Sequence, residues 1–240
     1  MSRHPPAKTR KLQETLRAKA TGAPGYRVYL RYDKVYREDV LTFAYRRCNA
    51  NGGAAGVDGQ YVEDSETDGG ERGLAALAEE LRTKTYRPPA GRRVYSPKPD
   101  GTKRPLGIPT IRDRVVQMAG GRVLEPLFEA DLLPEPSADR PGRNALDAGR
   151  NVHSLLNTGP TEGVDADWSA DVDSIPPAEL RQSVARRVSD RHGLHLIKRW
   201  LEAPVEARDE RGRPHRTTRN KEQGRGTPQG APSSPLLAHL

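Results

Sequence analysis

The stretch from 91 to 127 restricts the fold most, because two short extended segments stand directly before an apolar helical repeat. GRRVYSP and KRPLGIP flank Pro-Asp-Gly-Thr, where the Asp-Gly pair favours a tight hairpin. We expect Asp113 to open the helix that follows. A hairpin leading into a helix, in a chain without regular strand-helix alternation, predicts an α+β fold. The apolar repeat of this helix consists of Val115, Val116, Ala119, Val123, Leu124 and Leu127.

Other apolar repeats predict helices on both sides of this stretch. One repeat runs from Val40 to Cys48 and another from Leu74 to Leu81, with the turn NGGAAGVDG between them. We expect Cys48 to be buried, because it lies on the apolar face of its helix. Later elements are predicted as helices near 144–157, 178–190 and 194–202, with a strand near 163–168.

Two segments are strongly basic. The first 25 residues carry six Lys or Arg against the single acid Glu14, and Pro and Gly bound a weakly amphipathic stretch. We interpret residues 1–28 as a mobile basic arm. Residues 209–226, DERGRPHRTTRNKEQGRG, are polar and rich in turn formers, which predicts a hairpin with a long basic tip.

The composition favours a polyanionic partner. Forty Lys and Arg against 32 Asp and Glu leave a formal net charge of +8, which points to nucleic acid before membrane. The single cysteine excludes an internal disulfide and a cysteine-built zinc site. No apolar run approaches the roughly 18 residues of a membrane span, and no signal-peptide core follows the N-terminus. These features predict a cytoplasmic protein without membrane contact.

Residues 163–174, GVDADWSADVDS, concentrate four aspartates in this basic chain. A calcium loop would need Gly at its sixth position and Glu at its twelfth, and frames that start at Asp165 or Asp167 have neither. In a strand, Asp165 and Asp167 would share the face opposite Trp168. A carboxylate at a strand end suits Mg²⁺, whereas the residues alone equally allow a solvated or helix-capping aspartate.

Five blocks occur in one order and carry a family resemblance. They are RRVYSPKPDGTKRPLGIPTIRDRVVQ (92–117), LEPLFEADLLP (124–134), RPGRNALDA (140–148), VDADW (164–168) and GTPQGAPSSPLLAHL (226–240). Together they resemble the reverse transcriptase encoded by group II introns, the maturase type. The similarity extends back to NGGAAGVDG (51–59) and covers roughly residues 30–240.

The resemblance implies a right-hand polymerase, with a fingers-like region over 29–160 and a partial palm over 161–240. Asp167 matches the first palm carboxylate, which binds the catalytic Mg²⁺ ions. Lys98 and Arg104 match cations that contact the phosphates of the incoming nucleotide. Gln229 and Gly230 match the loop beside that nucleotide. The implied partners are a dNTP, an RNA template with a DNA primer, and structured intron RNA.

Departures from the family qualify this expectation. Val172 stands where the family has an aromatic residue under the ribose, so we expect weaker discrimination against ribonucleotides. Ala231, Pro232 and Ser233 replace a common Gly-Val-Ile. The 240 residues contain no aromatic-Ala-Asp-Asp motif, which the family places shortly after the segment that ends at Leu240. We therefore expect a polymerase fragment truncated before that motif, and inactive by itself because two Mg²⁺ ions need further carboxylates.

Two alternatives stay open. The first is a non-catalytic module that binds intron RNA, whose affinity would fall steeply with salt. The second is an unfolded remnant of a truncated gene, suggested by the low content of core-forming residues. The RNA-binding candidates in the basic segment are Arg211, Arg213, Arg216, Arg219, Lys221 and Arg225.

Overall fold

The structure is a computed structural model that consists of helices and short strands. It describes residues 5–23, 25, 27, 32–61, 70–99, 101–133, 138, 140, 142–159, 162–164, 175–208, 211, 213–217 and 230–240. The helices are α1 Ala7–Gly22, α2 Glu38–Asn51, α3 Gly70–Arg82, α4 Ile111–Phe128, α5 Ala145–Thr158, α6 Pro177–Arg187, α7 Arg191–Leu201 and α8 Ser234–Ala238. The strands are β1 Gly91–Pro97, β2 Lys103–Ile108, β3 Val205–Arg208 and β4 Pro214–Thr217.

Helix α4 is the centre of the core. Twelve of its 18 residues are buried, so its apolar side chains face neighbours on nearly every side. Helices α1 and α2 pack against it. The predicted helix is confirmed, but its start was wrong: Thr110 caps the helix by accepting a hydrogen bond from the Asp113 backbone N–H at 3.3 Å. Asp113 therefore lies in the first turn, where its side chain is buried.

The sheet has the order β2-β1-β3-β4 and joins two antiparallel hairpins through a parallel contact. The predicted hairpin of β1 and β2 is confirmed, with Arg92 opposite Ile108 and Pro97 opposite Lys103. Gly91 and Arg92 pair in parallel with the start of β3. Helices and a small mixed sheet thus form the predicted α+β fold.

The predicted mobile arm is wrong for residues 7–22. They form α1, whose Leu16 and Ala20 are buried in the core. Thr9 donates a hydrogen bond to Asp39 at 2.7 Å and is buried as well. The weak amphipathic pattern had suggested an apolar face too small to pack against a core. Three buried residues on one side of the helix nevertheless hold it against the core, and its Lys and Arg side chains are exposed.

The basic hairpin is confirmed in part. Strands β3 and β4 pair antiparallel, but β4 already ends at Thr217, so the turn between the strands is short. Residues 218–226 of the basic stretch lie outside the described residues. Residues 162–164 have no regular structure, and the remainder of the strand predicted near 163–168 lies outside the described residues.

The other helix predictions are confirmed, and Cys48 is buried and free of a disulfide. In the part of the chain that the structure describes, no helix is long and apolar enough to span a membrane.

Candidate functional site

The two cations predicted to bind phosphate lie at the tip of the β1–β2 hairpin. Arg104 stands opposite Ser96, and the Lys98 N–H donates to the Thr102 carbonyl at 2.8 Å, which extends the pairing by one step. Because side chains alternate along a strand, Ser96, Lys98 and Arg104 share one face. Both cationic residues are exposed. Lys103 is also exposed but lies on the opposite face.

Gly230 packs against the same hairpin from a distant part of the sequence. A methyl group on its Cα would lie 3.5 Å from the Gly107 carbonyl oxygen in β2. Its φ of +104° belongs to the region that favours glycine. The structure therefore brings one residue of the GTPQG motif to the strand that carries Arg104. Gln229 lies outside the described residues.

The glycine-rich loop after α2 is held against the entrance of α4 by Arg114. The guanidinium donates hydrogen bonds to the Ala54 carbonyl and, at 3.0 Å, to the Pro109 carbonyl. A methyl group at Gly56 would lie 2.7 Å from the Thr110 Cα, so only glycine allows this approach. Burial lowers the pKa of Arg114 from its usual value, against the opposing effects of Cys48 and Asp58.

A cleft of about 440 Å³ lies between this loop, β1 and β3. Its lining includes Tyr61 and Tyr95, which are both exposed, and the cations Arg92, Arg93 and Arg208. Exposed aromatic rings beside guanidinium groups suit a single nucleic-acid strand, because bases stack on the rings while phosphates meet the cations. Sequence reasoning missed this cleft, although a tyrosine beside two arginines in a predicted strand was a usable signal.

A buried chain of polar side chains runs from the segment before β1 to the segment after Gly230. The Tyr86 hydroxyl donates to Asp113 Oδ1, and Gln117 Nε2 donates to Asp113 Oδ2 at 2.9 Å. Gln117 Oε1 in turn accepts from the Ser233 hydroxyl at 2.9 Å and from the Ser233 N–H at 3.3 Å. The sequence interpretation treated Asp113 as a helix opener and overlooked this chain.

Burial controls the ionisation of this chain. It raises the pKa of Asp113 to about 6, although the hydrogen bonds from Tyr86 and Gln117 favour the carboxylate. Burial and the neighbouring Asp113 raise the pKa of Tyr86 well above its usual range. At neutral pH this buried hydrogen-bond chain therefore consists of the neutral phenol of Tyr86, the carboxylate of Asp113, the amide of Gln117 and the hydroxyl of Ser233.

Several residues for which the sequence predicts a functional role lie outside the described residues. Asp167, the predicted metal ligand, and Val172, the residue predicted to lie under the ribose, belong to this group. Within the described residues, no group of three or more His, Cys, Asp or Glu side chains is arranged to hold a metal ion. The RNA-binding candidates Arg219, Lys221 and Arg225 also fall outside the description.

The remaining RNA-binding candidates belong to the second hairpin. Arg211 and Arg213 are exposed between β3 and β4, and each takes part in at least one interaction within the protein. Arg216 stands opposite Glu206 in the sheet. These residues are therefore components of a folded hairpin, in contrast to the long basic tip that was expected.

Comparisons with known proteins show which sequences and folds this chain resembles. Residues 96–240 match the family model described as reverse transcriptase (RNA-dependent DNA polymerase). YkfC of Escherichia coli is 34% identical over 172 residues, which cover 70% of this chain and 42% of that protein. The group II intron-encoded protein LtrA of Lactococcus lactis is 29% identical over 211 residues, covering 87% of this chain and 33% of LtrA.

A comparison with solved structures detects similarity in the fold even where sequence identity is low. A partial Cas6-RT-Cas1–Cas2 complex matches with a TM-score of 0.52 at 18% identity, covering 87% of this chain and 33% of the matched chain. At that identity the likeness concerns the fold alone. This chain spans less than half the length of the curated relatives named above.

Residues 96–240, which match the family model, make up more than half of the chain. The chain belongs to the reverse transcriptase (RNA-dependent DNA polymerase) family. It is also similar to a protein encoded in the cob intron of Schizosaccharomyces pombe, which is 28% identical over 210 residues. That match covers 87% of this chain and 24% of that protein.

Proposed function

We propose that this chain forms the nucleotide-binding fingers and the first part of the palm of a polymerase that copies RNA into DNA. Residues 29–160 supply the fingers in this proposal, and residues 161–240 supply the first part of the palm. The observation that carries it is the position of Lys98 and Arg104 on one exposed face, on a hairpin against which Gly230 packs. Synthesis itself is proposed for the whole protein, since this chain spans only part of its relatives.

The hairpin tip has the chemistry that a triphosphate requires. Lys98 supplies a compact point charge, and Arg104 supplies a planar fork that can bond two phosphate oxygens at once. The guanidinium and ammonium groups lie at the end of a paired ladder, so the backbone limits their separation. Gly230 lets the adjoining backbone come close to the same strand. Gln229 is proposed as an amide contact to the nucleotide in the same loop.

The role of Mg²⁺ rests on a single predicted ligand. Asp167 would hold the ion, which would supply charge neutralisation and activation of the primer hydroxyl. The described residues add no ligand set to Asp167.

A matched set of hairpin variants tests the proposal. Lys98→Ala combined with Arg104→Ala should weaken binding of a fluorescent dNTP, measured by titration with Mg²⁺ present, by at least about tenfold, because charge-assisted hydrogen bonds are lost. Lys103→Ala removes a cation from the other face of the same hairpin, so its affinity should stay within about twofold of wild type. Equal losses in both proteins would indicate general polyanion attraction, as in an RNA-binding module, and would contradict a nucleotide site.

A further inference from the structure

The buried polar chain joins three distant parts of the sequence. Tyr86 precedes β1, Asp113 and Gln117 lie one turn apart on α4, and Ser233 precedes α8. All four are buried, with exposed fractions of 1 to 5%. An unsatisfied polar group at this depth would be costly, so each member depends on its neighbour for a partner.

Asp113 at one end and the Ser233 N–H at the other determine the direction of the hydrogen bonds made by Gln117. An ionised carboxylate only accepts, so both Tyr86 and Gln117 must donate to it. The Gln117 amide is thereby oriented with its nitrogen towards Asp113 and its oxygen towards Ser233. That oxygen accepts from both the hydroxyl and the backbone N–H of Ser233.

Ser233 anchors a short turn directly after Gly230. The Ser234 N–H donates to the Ala231 carbonyl at 3.0 Å, and the Leu237 N–H donates to the Ser233 carbonyl at 3.0 Å. Ala231 is buried between this turn and Gly230. A restraint on Ser233 is therefore transmitted over three residues to the glycine that lies against Gly107.

We propose that Asp113 and Gln117 are positioning residues, which hold the turn at 231–234 and thereby keep the Gly230 loop against β2 for nucleotide binding. This inference rests on the proposed function, because it assigns the purpose of the restraint to the nucleotide site. Among the described residues, the side chains of Asp113 and Gln117 hydrogen-bond to Tyr86, to each other and to Ser233, and not to Lys98, Arg104 or Gly230. Their action passes through the amide orientation of Gln117 and through Ser233.

An exchange of donor and acceptor groups tests the proposal without changing side-chain size. In Asp113→Asn, an amide that accepts from Tyr86 presents its N–H groups to the Gln117 nitrogen. Rotating Gln117 would relieve that clash and create another with the Ser233 N–H. A flipped amide at position 113 that accepts from Gln117 instead leaves the Tyr86 hydroxyl proton without this acceptor. In Gln117→Glu, two carboxylates face each other. Combining Asp113→Asn with Gln117→Glu restores a donor-acceptor match at every step, because asparagine donates to glutamate and glutamate accepts from Ser233.

Hydrogen exchange of the backbone amides at 231–237 is the first readout, measured at pH 7.5. Each single variant should exchange at least about tenfold faster than wild type, which corresponds to about 1.4 kcal/mol. The double variant should return to within about threefold of wild type. Faster exchange in the double variant than in either single variant, or no change in any of them, would overturn the coupling.

Affinity for the fluorescent dNTP is the second readout, on folded protein under the same conditions. The single variants should bind more weakly and the double variant should recover, a pattern that a uniform loss of stability would not produce. Unchanged affinity in the single variants despite faster exchange would overturn the positioning role. Failure of the proposed function is separate, because it would appear as unchanged affinity in the combined Lys98 and Arg104 variant.

Discussion

Helices α4 and α5 have similar N-terminal caps, but α4 is largely buried and α5 is not. Thr110 and Asn144 cap them by accepting from the backbone N–H of an aspartate three residues later, Asp113 and Asp147 respectively. Both helices carry apolar side chains at helical spacing. Yet most of α4 is buried, whereas none of the residues of α5 is, and Leu146 and Leu155 are exposed. Local signals therefore specify that a helix forms, but packing decides what its residues do.

The largest expected contrast concerns one leucine from each helix. Leu127 is 0% exposed and Leu155 is 58% exposed. Leu127→Ala should lower the free energy of unfolding by about 2–5 kcal/mol, because it leaves a cavity in a packed core. Leu155→Ala should change it by less than about 0.5 kcal/mol. Urea denaturation followed by circular dichroism measures both, and comparable losses would show that α5 is buried in solution. A chain with no cooperative transition would instead support the unfolded remnant.

The second contrast concerns pH and Asp113. Its pKa is raised from the ordinary value of 3.8 to about 6 in the folded protein, because burial disfavours the charge. The folded state therefore keeps this proton to higher pH than the unfolded state. As pH rises from about 4 to about 6, the contribution of Asp113 to the free energy of unfolding should fall by up to about 3 kcal/mol.

Comparison with Asp113→Asn isolates this contribution, since the variant has no carboxyl group there. The free energy of unfolding of wild type minus that of the variant should decrease between pH 4 and pH 7. Denaturant titrations at four or five pH values across this range measure the difference. A difference that stays constant with pH would show that Asp113 is not desolvated.

The smallest contrast compares two helical glycines. A methyl group at Gly120 would lie 2.6 Å from Cη2 of the buried Trp200 ring, whereas Gly149 in α5 has no atom nearby within the described residues. Gly120→Ala should lower the free energy of unfolding by about 1–3 kcal/mol through overpacking. Gly149→Ala should raise it by about 0.5–1 kcal/mol through helix propensity. Differential scanning calorimetry distinguishes these opposite signs, and two stabilised variants would refute the close packing of Gly120 on Trp200.

Prediction from the sequence succeeded where the determining interactions are local. The hairpin of β1 and β2 was predicted correctly because an Asp-Gly turn and two extended segments lie within 20 residues of each other. It failed for α1, whose weak pattern conceals three buried residues, and for Asp113, which was predicted to open its helix but lies buried in the first turn. The family resemblance added Lys98 and Arg104, which no periodicity would have distinguished from other surface cations.

The sequence by itself determined the hairpin, the order of the helices and the family to which the chain belongs. These follow from turn chemistry, from apolar spacing and from motifs readable along the chain. Only the tertiary structure decided that Ser233 completes a hydrogen-bond chain with Gln117, 116 residues away, and that Gly230 packs on Gly107. The physical reason is that burial, amide orientation and the pKa of a carboxyl group depend on which distant segments exclude water from it.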